Sequence, residues 1–202
     1  MSQLGSLTLS EFLRQVGSKT PAPGGGAVAC ATGATAAAIA RMVVEYSLGK
    51  KNLAEQQPAL ERAAAALLRL SDLFLLLADE DAAAYGLVNE LSRLPESDAR
   101  RVAEYAGALE AALQAPRAAL AASIDLLALV HELAPITNRH LRSDLAIAGV
   151  LGEAAARAAW WNVRVNLPGI ADPARRAAIE AESTREIDLA AARRRDIEAA
   201  CA

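Results

Sequence analysis

The residues able to do chemistry in this chain are few, and most lie beside a glycine, a proline or a helix end. Asp81 is the sharpest of them. At helical spacing it shares a stripe with Leu67, Leu70, Phe74, Leu77, Tyr85 and Val88, so its carboxylate is expected to point inward while Asp79 and Glu80 point elsewhere. A carboxylate on an apolar face needs a partner or a raised pKa, and both conditions suit proton transfer; a buried helix-to-helix hydrogen bond is the simpler alternative. Pro23-Gly24-Gly25-Gly26 runs straight into an uncharged segment. A glycine stretch opening a helix offers unpaired N–H groups to an anion or a carbonyl, and a flexible connector is the competing reading. Asn138, Ser143 and Asp144 form a polar cluster where a later helix begins; Ser143 can cap it and Asp144 can meet its positive end. Asn162 and Asn166, spaced i,i+4, put two amides on one face, either to close backbone groups or to contact a ligand.

Other chemistries fail on context. Gly24 to Ala29 matches the loose form of the dinucleotide fingerprint, but no strand precedes it. Gly49-Lys50 is followed by Lys51 rather than Ser or Thr, which rules out a Walker phosphate loop. His131 and His140 lack partners at ligand spacing, so no metal site is expected. Trp160 and Trp161 are the only tryptophans; adjacent helical positions point different ways, so at least one is expected to serve packing, a subunit contact being one place for it. Arg193-Arg194-Arg195 reads as a solvated face.

The elements that must position these groups are helices. Of the 202 residues 50 are alanine, hydrophobic residues make up 53% and aromatics only 3%. Such a chain favours close-packed helices and disfavours a β-sandwich, a Rossmann domain or disorder. The expectation is an all-α, single-domain bundle over residues 1–202. Proline and glycine divide it into six helices: about Thr8 to Val16, Ala27 to Leu48, Gln57 to Arg93, Asp98 to Leu133, Ser143 to Val165, and one opening at Asp172-Pro173. The second carries no charge before Arg41 and is expected to be buried nearly all round. Pro116 should kink the fourth.

Charge and cysteine usage bound the partners. Lys+Arg 21 against Asp+Glu 24 gives a net charge of −3, with no basic excess to hold a nucleic acid. Cys30 and Cys201 show no ligand spacing, which fits a reduced cytoplasmic protein, and Met-Ser-Gln-Leu-Gly lacks the pattern of a signal peptide. The stretch Thr20 to Ala40 begins with prolines and glycines, and the Leu-rich run at 67–77 contains Arg69 and Asp72, so no membrane span is expected.

As an ordered set, several segments resemble the cyclodeaminase/cyclohydrolase family of folate enzymes. They are Phe12-Leu13, Thr20-Pro21-Ala22-Pro23-Gly24-Gly25-Gly26, Gly49-Lys50-Lys51, Asp79 through Tyr85, Leu94-Pro95, Asn138 through Leu145, and Asn162 through Leu167. Together they cover about residues 8 to 175. The chain departs from the family at Ala27, where Ser is usual, and at Glu96, where Lys is common. The resemblance implies a helical homodimer that binds a reduced folate between helices or at the subunit boundary, with no metal or organic cofactor. It assigns catalysis to Asp81, as general acid/base, and to Asp144. Asn138 and Asp144 would orient the pterin or the cationic carbon, and Pro23 with Gly24, Gly25 and Gly26 would hold the ligand by backbone groups. Lys50 and Lys51 would meet the glutamate tail, and Ser143, Asn162 and Asn166 complete the binding set. The chain length leaves no room for a formiminotransferase domain. The implied reaction is therefore hydrolysis of methenyltetrahydrofolate to formyltetrahydrofolate. The alternatives are formiminotetrahydrofolate cyclodeamination with release of ammonia, or a folate-binding protein without turnover.

Overall fold

The computed structural model describes residues 4–202; Met1 to Gln3, part of the stretch read for a signal peptide, lie outside them. Six α-helices follow in order: α1 (Leu9–Val16), α2 (Gly25–Glu45), α3 (Gln57–Ser92), α4 (Ala99–Leu133), α5 (Arg142–Asn166) and α6 (Pro173–Cys201). A 3-10 turn at Leu4–Ser6 precedes α1, others at Lys51–Gln56, Arg139–Leu141 and Leu167–Gly169 lie between later helices, and no strand occurs among the described residues. The all-α expectation holds. α2 lies between α3 and α5 and also touches α4, while α6 packs against α5 and α4.

Local chemistry sets most boundaries. Thr8 and Glu11 form a reciprocal capping box on α1. Asp98 accepts from the amides of Arg100 and Arg101, and Asp172 from those of Ala174 and Arg175 with Pro173 first in α6. α5 departs from expectation, because Ser143 does not cap it. The 3-10 turn Arg139–Leu141 runs directly into α5, and Asn138 caps that turn instead by accepting from the His140 amide at 3.2 Å.

Small residues let the helices close on one another. A methyl group on Gly33 of α2 would lie 2.6 Å from the ring of Phe74 on α3, so only glycine leaves a slot for that ring. Gly149 makes the same room for Ile197, and Gly152 for Leu127. Phe74, Leu127 and Ile197 are completely buried, and each contributes roughly 2–3 kcal/mol by leaving water.

The second helix is central but not enclosed. Gly26, Ala29, Gly33, Ala36, Ala37, Ala40, Val43 and Val44 are buried, yet Val28, Thr35, Ala38 and Met42 form an open stripe. Three neighbouring helices cover three sides of α2, and nothing among the described residues covers the fourth. By length and hydropathy α2 and α4 would each pass as membrane-crossing helices, since α2 starts after the prolines. In this fold, 50% and 56% of their most apolar stretches are buried among the other helices.

The last helix is less solvated than its composition implies. Ile179, Ser183, Ile187, Ala190 and Ile197 are buried. Arg193 donates to the Ile124 carbonyl of α4 at 2.8 Å and Arg194 pairs with Glu198, leaving Arg195 as the exposed member of the run.

Candidate active site

A cavity of about 290 Å³ opens where α2 begins. Pro21, Ala22, Gly24, Gly25 and Gly26 form one wall, Asp81 and Tyr85 of α3 a second, and Asn162, Val165 and Asn166 of α5 a third, with Ala112 of α4 completing it. That volume suits a fused two-ring head group rather than a long flexible ligand.

Asp81 is placed by a close approach. A methyl group on Gly26 would overlap the carboxyl carbon and both carboxyl oxygens of Asp81, so the side chain rests directly against the first turn of α2. The early N–H groups of a helix have no partner within it, and Gly24 has no side chain to cap them. Burial pushes the Asp81 pKa from 3.8 up to about 6. The same burial, together with the charge on Asp81, pushes the Cys30 thiol up to about 12, so Cys30 stays protonated beside it. Gly25 is different: a methyl there would meet Asn162 at 3.6 Å, an ordinary contact.

The two asparagines close backbone groups and line the cavity as well. Asn162 Nδ2 donates to the Ala158 carbonyl of its own helix at 2.8 Å. Asn166 Nδ2 donates to the Ala112 carbonyl of α4, also at 2.8 Å. The second bond has a cause in the sequence. In a regular helix the Ala112 carbonyl accepts from residue 116, but that residue is Pro116, which has no N–H. Asn166 supplies the missing donor, and in both asparagines the side-chain oxygen is left for the cavity.

Other expected site residues stand elsewhere. Pro23 is buried and is not part of the cavity wall. Lys50, Lys51, Asn138, Ser143 and Asp144 lie at the far end of α2, where the Asn138 amide donates to Ser47 Oγ at 2.9 Å. From Gly25 to Glu45 the helix is about 30 Å long at its ordinary rise. Within one chain, therefore, these five residues do not reach the Asp81 cavity. Ala27 is completely buried, so the departure from the family's Ser leaves the cavity wall unchanged. Glu96 is exposed in the turn between α3 and α4.

The expected wall from Pro21 to Gly26 lines the cavity except at Pro23, whereas sequence reasoning missed Tyr85, Ala112 and Val165 as lining residues. Tyr85 had a usable signal, being four residues after Asp81, but the residue is 48% exposed rather than buried in the core. Near the cavity, Trp160 and Trp161 meet edge to face at 5.0 Å despite leaving the helix in different directions. The Arg164 guanidinium bridges them, 4.8 Å and 5.1 Å from the two ring centres. Among the described residues no group of three or more His, Cys, Asp or Glu converges as a metal site.

Comparison with known proteins assigns the family. The formiminotransferase-cyclodeaminase family model matches residues 8–185. Formimidoyltransferase-cyclodeaminase of Sus scrofa is 33% identical over 175 residues, which are 85% of this chain and 32% of that protein. The chain thus spans about a third of the length of that relative. Methenyltetrahydrofolate cyclohydrolase of Methylorubrum extorquens is 30% identical over 84% of both chains. The solved formiminotetrahydrofolate cyclodeaminase of Thermotoga maritima superposes with a TM-score of 0.90 at 28% identity, covering 98% of this chain and 96% of that one. With its helices in the same arrangement and the family pattern running through most of its length, the chain belongs to the formiminotransferase-cyclodeaminase family of folate one-carbon enzymes.

Proposed function

We propose that this protein hydrolyses methenyltetrahydrofolate to formyltetrahydrofolate, with Asp81 as the general acid/base. The observation that carries the reading is a half-buried carboxyl held against a helix start, its pKa pushed up to about 6, in a cavity sized for a pterin head. A group with that pKa can accept and return a proton near neutral pH. The substrate carries a positive charge on its amidinium, which offsets the penalty of an ionised Asp81 in a dry site. Water adds to the bridging carbon and gives one proton to the carboxylate. The resulting carbinol collapses to the formyl group as its bond to one ring nitrogen breaks. One proton of the water ends on that nitrogen and the other in solution. Asn162 and Asn166 offer side-chain oxygens to the pterin N–H groups, and Tyr85 flanks the ring. The folate is the substrate; the reading assigns no metal and no organic cofactor, and it places the enzyme in the cytoplasm. Full-length similarity to the bacterial cyclohydrolase supports it.

A second reading is the cyclodeaminase reaction, favoured by the equally complete match to the Thermotoga protein. There the Asp81 carboxyl would protonate departing ammonia as the second ring nitrogen attacks the formimino carbon. Incubation with each substrate decides: loss of methenyltetrahydrofolate absorbance above an enzyme-free control supports hydrolysis, and ammonia released from formiminotetrahydrofolate supports cyclodeamination. Tight folate binding with neither product would leave a binding protein.

A further inference from the structure

We infer that Pro116, a buried residue outside the cavity wall, is a positioning residue of the site. By withholding a donor from the Ala112 carbonyl it fixes the Asn166 side-chain amide in one orientation, and so makes Asn166 the residue that selects a ring edge carrying hydrogen-bond donors. The inference rests on the folate reading above for the identity of the ring, and it names what recognises that ring.

The two asparagines of α5 look alike and are held differently. Asn162 Nδ2 donates to the Ala158 carbonyl at 2.8 Å. That carbonyl stands four residues earlier in the same helix, where the backbone ladder already brings it the Asn162 N–H. The side-chain bond is a second one on a satisfied acceptor, so turning the amide away strands nothing. Nor does α2 crowd either orientation: a methyl group on Gly25 would stand 3.6 Å from Asn162 Oδ1 and 3.7 Å from Nδ2. Asn166 has no such freedom. Its Nδ2 donates at 2.8 Å to Ala112 on another helix, and the donor that α4 would bring there belongs to Pro116, which has none. Ala112 is buried, so bulk water is a poor substitute. A carbonyl only accepts, so the amide atom facing it is nitrogen. Turning the Asn166 amide over would set two oxygens against each other and leave a buried acceptor unpaired. Its Oδ1 is therefore a fixed acceptor in the cavity wall.

A fixed acceptor selects its ligand by what it refuses. A ring edge that donates pairs with it, whereas an edge of acceptors or C–H groups leaves the oxygen unpaired in a half-buried wall. A pterin has a donating edge, made by its exocyclic amino group and the ring N–H beside it. Asn162, free to turn, accepts or donates as the ligand requires and discriminates little. The carbon that takes up water lies at the opposite end of the fused rings, so Asn166 orients the head group without entering the reaction.

Pro116→Ala tests this, because it adds one N–H opposite the Ala112 carbonyl and alters no residue of the cavity wall. The first measurement needs no folate. By NMR of isotopically labelled protein, the Asn166 side-chain amide protons of the natural chain should exchange with solvent about tenfold more slowly than those of Asn162. In Pro116→Ala the two should exchange at similar rates. Equal exchange in the natural chain, or undiminished protection in the variant, overturns the lock. The second measurement is selectivity. The natural chain should bind tetrahydrofolate about a hundredfold more tightly than the analogue with hydrogen in place of the exocyclic amino group, and Pro116→Ala should cut that ratio to about tenfold. In turnover of methenyltetrahydrofolate the variant's loss should fall on KM more than on kcat. A variant whose Tm shifts while the binding ratio stays natural makes Pro116 a structural kink alone and overturns the inference. If the natural chain binds neither compound, the folate reading fails and the selectivity with it, while amide exchange still decides the lock.

Discussion

The two ends of α2 hold comparable inventories of polar residues in opposite surroundings. At Gly25 the helix start is pressed between α3 and α5, and the carboxyl of Asp81 is half-buried against it. At Glu45 the chain leaves the core into Lys50 and Lys51, and Ser143 there is exposed. A carboxylate in water is a good ligand for cations but a poor proton shuttle at neutral pH; a carboxylate stripped of water has its pKa moved toward the working range. On the proposed reading, the same helix would organise chemistry at its Gly25 end, while its other end leads to exposed cations.

The contrast breaks most sharply by removing the desolvated carboxyl. Asp81→Asn should keep the fold and folate binding yet lose roughly 10²–10⁴-fold in turnover, whereas Asp144→Asn should lose about tenfold or less. Equal losses, measured as kcat on folded protein, would erase the distinction between the ends. Next comes Gly26→Ala, whose methyl group must displace the Asp81 carboxyl. Turnover should fall about 10²-fold, the scale expected when a reacting group moves by an ångström. Gly25→Ala meets only an ordinary contact at 3.6 Å and serves as the control, with turnover near natural.

A smaller effect concerns the wall rather than the reacting group. Asn166→Ala strands the Ala112 carbonyl and should cost about 1–3 kcal/mol, read as a lower Tm. Pro116→Ala in the same background restores an N–H to that carbonyl and should recover most of the loss; failure to recover would remove the bond as the cause. An effect of similar size is the pH dependence of stability. The folded pKa of Asp81 is about 6 against an ordinary 3.8, so the folded state binds this proton more tightly. Its contribution to stability is fully present below the ordinary value and is lost as pH rises through about 6. Relative to the natural chain, Asp81→Asn should therefore melt higher at pH 8, by on the order of 2 kcal/mol, and nearly equally at pH 4. Equal melting at both would place Asp81 in water.

Much of this was legible in sequence because helices are written locally. Alanine content and proline and glycine breaks yield six helices, and the apolar stripe around Asp81 marks it as inward. What sequence hides is contact between distant residues. Nothing near Ala112 announces its role, which exists only because Pro116 withholds a donor and Asn166, on another helix, supplies one. The absence of charge on α2 was readable, but an uncharged face looks the same whether its cover comes from within the chain or from outside. The motif residues Lys50, Lys51, Asn138 and Asp144 belong to one ordered pattern, yet about 30 Å of helix separates them from the cavity.

The slot that Gly33 makes for the Phe74 ring has a wider meaning. Gly26 and Asp81 stand seven residues from Gly33 and Phe74 on their respective helices, in opposite chain directions. The two pairs are successive layers of one antiparallel seam, each a glycine on α2 receiving a side chain from α3. Asp81 thus occupies a packing position in which a carboxyl has replaced an aromatic ring. Its aim is inherited from the mesh of the two helices, as one tooth of a gear is set by the next. A shorter side chain at Phe74 would loosen that mesh two turns away from the carboxyl and shift the acid without touching it.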